Sequence, residues 1–342
     1  MENYRNDPQS AMRSSENPDR GERKKRMKNV QADVSVIVVI GDCRERAERM
    51  LGAIASQSAA ERIELIVVDA SSHGAPDLSL PAGLKVKYVR ARAGIMPGSA
   101  RGDAIRFATA PVLAFLEEHC FPEEGWASAV IEAHRGDSAA VGYSFLNGSP
   151  DTYLYRSFFM AEYGPWGYPQ AGGATSQLPG SNVSYKKEAL VRFGERLTGL
   201  FEMEYLLQEG LRQHGARFCT EPKAVVSHEC IASFWGFLYS HFLLGRIQAA
   251  RRTQVFSWEF KRRLVVSLAA PVVLPWLQLY RAWKVLRGHR LFSAWLYSIP
   301  ITYLTRQFEA IGESIGLLAG AGDSGRSFAP RELNAARAKK SV

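Results

Sequence analysis

Short apolar runs, separated by stretches with helical spacing, organise the first part of the chain. Residues 34–40 (VSVIVVI), 63–68 (IELIVV) and 111–116 (PVLAFL) form three such runs. Runs of this kind are typical of strands buried on both faces of a parallel sheet. Residues 45–57 have helical character, so a right-handed strand–helix–strand unit is predicted at the start.

A third strand is predicted at residues 85–89 and a further helix at residues 98–109. Strands that alternate with helices predict an open α/β sheet of the nucleotide-binding type. The sequence has no GxGxxG after its first strand and no GxxxxGK[ST] motif. Neither a dinucleotide-binding fold nor a P-loop ATPase is therefore supported.

The last of these strands ends in the stretch FLEEHCFPEEGW, where an apolar run changes abruptly to Glu117, Glu118 and His119. Ligands of open α/β folds bind at the carboxyl ends of the strands, so these side chains are candidates for a ligand site. A solvated loop after the strand is the alternative interpretation.

Asp42 and Asp69 follow the first and second strands and therefore belong to the same predicted edge of the sheet. If the ligand carries phosphate, a divalent cation or the guanidinium of Arg101 could offset its charge.

Residues 153–181 are rich in aromatic residues and glycine, and a long irregular segment in a compact domain is usually functional or mobile. Trp166 and Tyr168 could stack on a sugar or lipid acceptor, or they could cover the core. Asn182, which begins a short predicted strand, is grouped with them as a candidate acceptor loop.

Residues 201–214 (FEMEYLLQEGLRQH) predict an amphipathic helix that ends at Gly215. Glu202 and Glu204 fall in its first turn, where the helix dipole stabilises acidic side chains. This stabilisation of the helix is a sufficient reason for one of the two acids to be present.

The net charge of +9 is concentrated in residues 246–290, where Glu259 is the single acid among many lysines and arginines. These basic residues surround apolar, tryptophan-containing sequence. The pattern favours a membrane surface over nucleic acid as the partner.

Residues 231–322 are predicted to be a helical, membrane-associated region that contains apolar runs at 264–280 and 291–304. The first run includes Pro271 and Pro275 and is at the lower length limit for a membrane-spanning helix. We expect interfacial helices in preference to a short membrane-inserted hairpin. A buried helical bundle is the alternative.

The two ends of the chain are polar: residues 1–32 predict a disordered basic tail, and residues 323–342 a polar tail. The four cysteines form no CxxC pair, and no apolar segment at the amino terminus suggests a signal peptide. We expect a protein that faces the cytosol with reduced thiols.

The order of these motifs resembles the family 2 glycosyltransferases with a GT-A fold, over about residues 34–230. That family has an apolar first strand, a second strand ending in an acid, and an Ala-Arg pair on a later helix. An FLDxD motif with a following Pro and Gly-Trp pair, a PG-x-N segment and an acidic pair opening a helix come next. The matching residues are VSVIVVI, VVDASS, Ala100, Arg101, Glu117, His119, Pro122, Gly125, Trp126, and residues 178–185 and 202–215.

The resemblance implies a nucleotide-diphosphate-sugar donor. It places Asp69 at the nucleotide base with Asp42 nearby, and it places Arg101 beside the nucleotide. Glu117, followed by Glu118, would lie beside the ribose and diphosphate.

The resemblance also implies inverting transfer in one step. Glu202 would be the general base that deprotonates an acceptor hydroxyl, and Glu204 would support it.

His119 departs from the family pattern because a carboxylate is expected at its position. The predicted cofactor is a divalent cation, Mn²⁺ or Mg²⁺, but imidazole prefers softer ions than Mg²⁺. His119 and His228 could both bind Mn²⁺, His119 could contact diphosphate, or the site could be degenerate. His228 could equally be a structural, hydrogen-bonded histidine.

The sequence therefore predicts a glycosyltransferase at the cytoplasmic face of the bacterial inner membrane, of the membrane-associated bacterial type. Its partners would be a nucleotide-diphosphate sugar, a glycan or lipid-linked acceptor of the cell envelope, and membrane lipids, with no nucleic acid. A membrane scaffold that has lost its chemistry, or a sugar nucleotidyltransferase, are the alternatives.

Overall fold

The computed structural model describes residues 31–72, 77–92 and 94–340. Nearly all of the basic tail predicted for residues 1–32 lies outside this part of the chain. The last two residues of the predicted polar tail also lie outside it.

Within the described residues the chain forms nine strands and eleven α-helices. The strands are β1 (Val34–Ile40), β2 (Ile63–Asp69), β3 (Lys85–Arg90), β4 (Val112–Glu117), β5 (Cys120–Pro122), β6 (Ala140–Asn147), β7 (Gly173–Thr175), β8 (Val183–Lys186) and β9 (Phe218–His228). The helices are α1 (Arg44–Ala55), α2 (Pro97–Ala104), α3 (Trp126–Ala133), α4 (Tyr153–Tyr163), α5 (Lys187–Val191), α6 (Arg196–Leu200), α7 (Glu204–Gln213), α8 (Phe234–Val255), α9 (Phe260–Leu286), α10 (Phe292–Ala319) and α11 (Ser324–Asn334).

The strands form one mixed sheet in the order β3-β2-β1-β4-β8-β6-β9-β5, and β7 pairs with β9. β1 is parallel to both β2 and β4, and β2 is parallel to β3. β8 runs antiparallel to β4 and β6. A parallel half of the nucleotide-binding type is thus joined to a mixed half.

β1 lies in the middle of the parallel half and is buried on both faces. Val36 and Val38 pack into the core on one side of the sheet, whereas Ile37 and Val39 pack into the core on the other. This explains why the run is continuously apolar instead of alternating.

The register of the parallel strands brings their carboxyl ends to one edge. Ile40 is paired with Asp69, and Val39 is paired with Glu117. The acids that follow separate strands in the sequence are therefore neighbours in space, as expected for a ligand-binding edge.

The long carboxy-terminal helices pack closely on one another. A Cβ atom on Gly312 would lie 2.0 Å from the carbonyl oxygen of Phe242, and one on Gly245 would lie 2.2 Å from that of Glu309. Only glycine permits this approach of α10 to α8. The glycines of residues 312–316 (GESIG) therefore form a helix-packing surface.

α9 is the one helix among the described residues that is long and apolar enough to cross a membrane, with a mean hydropathy of 1.4. One of its faces is covered by the protein: Ser267, Ala270 and Leu279 are buried. The Ser267 carbonyl accepts a hydrogen bond of 2.7 Å from Ser314 of α10.

The opposite face of α9 is apolar and open. Val265, Leu268, Val272 and Trp276 follow one another at spacings of three or four residues and are 63–70% exposed. α9 therefore has an apolar stripe along one side that no described residue covers.

The predicted polar tail at residues 323–342 instead contains α11 and an extended segment that packs on the sheet. Asn334 accepts a hydrogen bond of 2.7 Å from the backbone of Asp42 and donates one of 2.9 Å to the Asp42 carboxylate. Arg337 forms a β-bridge with Ile231. These contacts join residues that are far apart in the sequence, so local sequence patterns could not predict them.

Candidate active site

A cavity of about 280 Å³ lies at the carboxyl edge of the sheet. Seven of the residues predicted from the sequence contribute to its wall: Arg101, Glu117, His119, Trp166, Glu202, Glu204 and His228. The structure thus brings together side chains from α2, β4, β9 and the connection before α7. Asp42, Asp69, Glu118, Tyr168 and Asn182 do not line it.

Glu117, the last residue of β4, is held from three sides. Its Oε2 atom accepts hydrogen bonds from Asn182 Nδ2 at 2.7 Å and from the Tyr163 hydroxyl at 3.1 Å. Its Oε1 atom lies 3.5 Å from Arg101 Nη2. Burial raises the pKa of Glu117, but the charge of Arg101 and the other favourable contacts outweigh it and hold the pKa below its usual value.

Glu118 faces away from the cavity and is buried. Successive residues at the end of a strand point to opposite sides of the sheet, so Glu117 and Glu118 cannot both face the ligand. Glu118 accepts a hydrogen bond of 3.0 Å from Arg46 Nε and another of 3.0 Å from the Gly41 backbone. Its surroundings indicate a structural ion pair.

Glu204 begins α7 and points into the cavity. Its Oε1 atom accepts a hydrogen bond of 3.0 Å from the Ser181 hydroxyl and lies 3.3 Å from Arg101 Nη1. Burial raises the pKa of Glu204 above its usual value although the charge of Arg101 acts in the opposite direction.

Glu202 precedes α7 instead of lying in its first turn. Its Oε2 atom lies 2.8 Å from Arg251 Nη2 of α8, and its Oε1 atom accepts a hydrogen bond from the Ser99 hydroxyl of α2. Glu202 therefore joins three elements at the rim of the cavity.

The two predicted imidazoles lie together, with ring centroids 5.0 Å apart. His119 Nε2 is 3.5 Å from Glu117 Oε2, and His228 Nε2 is 3.8 Å from Glu162 Oε2. Burial holds the pKa of both histidines below the usual value. Both imidazoles are therefore neutral at pH 7.

The ligand atoms of Glu117, His119, Cys120 and His228 lie within 4.8 Å of one another, a spacing that could hold a metal ion. These donor atoms, however, already have partners within the protein. Glu117 already accepts two hydrogen bonds on one oxygen. The other oxygen of Glu117 lies 3.5 Å from Arg101 Nη2, so the protein engages both oxygens of this carboxylate.

A cation of the protein also lies beside this cluster. Glu332 Oε1 is 3.7 Å from His119 Nε2 and 3.5 Å from Arg337 Nη2, so a guanidinium group already shares the acid next to these donors. The residues present therefore fit a resident divalent cation poorly, and the Mn²⁺ or Mg²⁺ predicted from the sequence enters no step below.

Asp42 and Asp69 lie at the same edge of the sheet but outside the cavity. Asp69 is fully buried and pairs with Arg44 at 2.8 Å and Arg90 at 2.9 Å. Burial raises its pKa, but the hydrogen bonds from Arg44 and Tyr88 outweigh this and hold the pKa far below the usual value. Asp42 is exposed enough to bind a ligand, although Asn334 already contacts it.

The candidate acceptor loop is divided by the structure. Trp166 lines the cavity, whereas Tyr168 is exposed outside it. Asn182 lies beneath the cavity, where it donates to Glu117 Oε2 and its Oδ1 accepts from the Glu117 backbone at 2.9 Å.

Five ionisable residues of the cavity wall were not predicted from the sequence: Glu162, His241, Arg306, Glu332 and Arg337. His241 Nε2 lies 3.5 Å from Glu162 Oε1. A histidine within the apolar stretch SFWGFLYSHFLLG is a sequence signal that could have revealed this pair. Glu332 and Arg337 have no comparable signal.

Residues 35–193 match the family described as Glycosyl transferase family 2. The matched segment contains β1 to β8 with Arg101 and Glu117, and it ends before Glu202. The chain carries a family 2 glycosyltransferase domain with the GT-A fold, and the protein is a glycosyltransferase. The family, fold class and enzyme class predicted from the sequence are confirmed.

Many solved structures are similar to this chain, and two of them are described here. The mannosyltransferase PcManGT from Pyrobaculum calidifontis in complex with GDP-Man and Mn2+ is 18% identical, with 87% of this chain and 93% of that chain covered and a TM-score of 0.49. TarS 1-349 of S. aureus in complex with UDP is 16% identical, with 80% and 90% covered and a TM-score of 0.42. No curated protein matches the chain.

Proposed function

We propose that this protein transfers a sugar from a nucleotide-diphosphate donor to a hydroxyl group of a glycan or lipid-linked acceptor. The main support for the proposal is that Arg101 contacts both Glu117 and Glu204 in the wall of one cavity. A departing diphosphate needs positive charge beside it, and an attacking hydroxyl needs a carboxylate. The cavity offers both groups.

The expected reaction is one displacement with inversion. A bond forms between the acceptor oxygen and the anomeric carbon while the bond from that carbon to the diphosphate oxygen breaks. The diphosphate leaves with the electron pair, and the hydroxyl proton passes to a carboxylate. That carboxylate must lie on the side of the sugar opposite the diphosphate.

Two carboxylates compete for the role of base. Glu202, the residue predicted from the sequence, contacts Arg251 through one carboxylate oxygen and Ser99 through the other, so both oxygens are engaged at the rim of the cavity. Glu204 points into the cavity, and burial raises its pKa, which strengthens it as a base. We assign Glu204 as the base and Glu202 as a residue that fixes the connection before α7.

Asp42 and Asp69 define the nucleotide side of the proposed donor site. Both follow strands at the edge that also carries Glu117, and ligands of open α/β sheets bind along such edges. Asp69 is enclosed by its partners, so it acts by holding Arg44 and Tyr88 in place. Asp42 is the acid of this pair that is exposed enough to meet the donor.

The membrane is the proposed location of the acceptor, at the cytoplasmic face of the bacterial inner membrane. The open stripe of α9 is apolar over about four turns, and basic residues flank it at both ends. Such a helix lies in the interface with its apolar face buried among acyl chains. Lysines and arginines at its ends attract anionic lipid headgroups.

An interfacial position suits the neighbouring helix better than a spanning one. α10 carries Arg306, Glu309 and Glu313, which pair with one another or with Arg252 of α8. Charged residues are costly within hydrocarbon, so a hairpin of α9 and α10 through the membrane is disfavoured.

Calorimetric titration tests the proposal. Purified protein is titrated with UDP, GDP and their sugar conjugates, and nucleoside diphosphate release is then followed with a membrane lipid extract as acceptor. We expect one nucleotide to bind in preference and its sugar conjugate to be turned over. Absence of binding by every nucleotide would support the scaffold alternative instead.

A further inference from the structure

We propose that Arg337 binds the diphosphate of the donor together with Arg101, so that two guanidinium groups take the place of the divalent cation expected from the sequence. The inference rests on the proposed function and adds a residue from the carboxy-terminal segment to the donor site. It assigns a positioning role for the leaving group, outside the segment that matches the family.

Arg337 is buried in the wall of the cavity. Its side chain is 2% exposed, and Nη2 donates a hydrogen bond of 2.8 Å to the Glu332 carbonyl oxygen. Nε is buried and has no hydrogen-bond partner among the described residues. Buried donors are almost always paired, so the unused Nε shows that protein groups alone do not satisfy this guanidinium in the cavity wall.

Arg101, which also lines the cavity, shows the same feature. Its side chain is 5% exposed, its Nη atoms reach Glu117 and Glu204, and its Nε is also buried without a partner in the described part of the chain. Guanidinium groups bind phosphate oxygens through two parallel N–H donors. Two arginines with spare donors match the two phosphates of a nucleoside diphosphate.

The acids around Arg337 explain how a guanidinium stays buried there. Glu332 Oε1 lies 3.5 Å from Arg337 Nη2 and 3.7 Å from His119 Nε2. Glu117 and Glu162 also attract the guanidinium. Acidic side chains would hold a metal ion in the same way, and that ion would still bind phosphate. Arg337 takes the place of such an ion, as a positive charge that is fixed to the protein.

The segment that carries Arg337 is anchored at both sides of this residue. The carbonyl oxygens of Leu333 and Ala335 accept hydrogen bonds from the Arg46 guanidinium. After Arg337, the backbone N–H of Ala338 donates to the Cys230 carbonyl at 2.9 Å. The guanidinium is therefore held in place before the donor binds, as an electrostatic leaving-group site requires.

Titration calorimetry in EDTA provides the test, with UDP and GDP as probes. We expect wild-type protein to bind one of them without metal. Arg337→Ala is expected to weaken that binding about 10- to 100-fold, in line with a lost charged hydrogen bond. Arg337→Lys, which keeps the charge but not the planar fork, is expected to give an intermediate loss.

The controls separate the role of Arg337 from general damage. Arg326→Ala removes an exposed arginine of α11 and should bind as wild type does. The nucleoside without phosphates should bind Arg337→Ala and wild type equally, which also shows that the variant is folded.

Three outcomes would overturn the inference. They are equal diphosphate binding by Arg337→Ala and wild type, equal loss of nucleoside and diphosphate binding in the variant, and binding by wild type only when Mn²⁺ is added. If wild type binds none of UDP, GDP, ADP, CDP and dTDP, with or without Mn²⁺, the proposed function itself fails and this inference fails with it.

Discussion

Arg101 Nη1 lies 3.3 Å from Glu204 Oε1, so α2 and the first residue of α7 are joined by one charge contact at the cavity. The same guanidinium lies 3.5 Å from Glu117. One cation therefore sets the distance between the acid assigned as the base and the acid on the donor side. Substitution of one acid leaves the other in contact with Arg101, so the role of each acid can be tested separately.

Glu204→Gln is expected to lower kcat by about 10²- to 10⁴-fold, because the amide cannot accept the hydroxyl proton. Donor affinity should change little, since Arg101 and Glu117 remain. Glu202→Gln is expected to have the smaller effect on kcat. Release of nucleoside diphosphate in the presence of acceptor measures both. If Glu202→Gln shows the larger loss, the base is Glu202, as first predicted from the sequence.

Leu268→Asp combined with Val272→Asp is expected to release the protein from lipid vesicles. Each apolar side chain that leaves the acyl region costs about 1.5–3 kcal/mol, so the partition coefficient should fall at least about tenfold. Co-sedimentation with vesicles that contain anionic lipid measures it. Val191→Asp changes an exposed apolar residue of α5 and should have no effect. Equal binding by the α9 variant and wild type would reject the interfacial role of α9.

Glu64→Gln is expected to lower the free energy of unfolding by about 2–3 kcal/mol at pH 7. The Glu64 carboxylate lies 2.7 Å from Lys87 Nζ and accepts hydrogen bonds from Ser35 and Thr109. Burial raises its pKa, but these contacts outweigh burial and hold the pKa at about 2.

The pH dependence follows from that lowered pKa. The folded state favours the ionised carboxylate, so its stabilisation is present above the ordinary pKa of 4.5 and is lost as the pH falls towards 2. Urea unfolding should therefore show a difference between Glu64→Gln and wild type that shrinks from pH 7 to pH 3. Glu61→Gln, at an exposed position, is the control. A difference that stays constant with pH would contradict the assignment.

Glu118→Ala is expected to lower the free energy of unfolding by about 3–5 kcal/mol, because it leaves the buried Arg46 without its carboxylate partner. Arg46 also anchors the segment that carries Arg337, so any loss of nucleotide affinity should be no larger than in Arg46→Ala, which frees the same segment. Glu124→Ala, at an exposed position in the turn after β5, should leave both quantities unchanged. Weaker nucleotide binding by folded Glu118→Ala than by folded Arg46→Ala would restore the ligand role predicted from the sequence.

The parallel half of the sheet could be predicted because its strands are buried on both faces. The continuous apolar run of β1 indicates burial on both faces. The acid that follows each strand indicates the ligand-binding edge of the sheet. The opposite directions of Glu117 and Glu118 follow from the period of two along a strand, so only one of the two acids could be expected to face the ligand.

The carboxy-terminal part of the site could not be predicted for a different reason. Arg337 reaches the cavity because Asn334 docks on Asp42, a contact between residues separated by 292 positions. Composition alone makes residues 323–342 appear to be a solvated tail. Only the packed structure shows that this segment completes the cavity.

The most direct test of the central claim is nucleoside diphosphate release by purified protein with a panel of nucleotide sugars and a membrane lipid extract. The account predicts acceptor-dependent release from at least one nucleotide sugar, accompanied by transfer of the radiolabelled sugar to lipid or glycan, and loss of both in Glu204→Gln. Failure of every donor to give release or transfer, with protein that is folded and vesicle-bound, would contradict it.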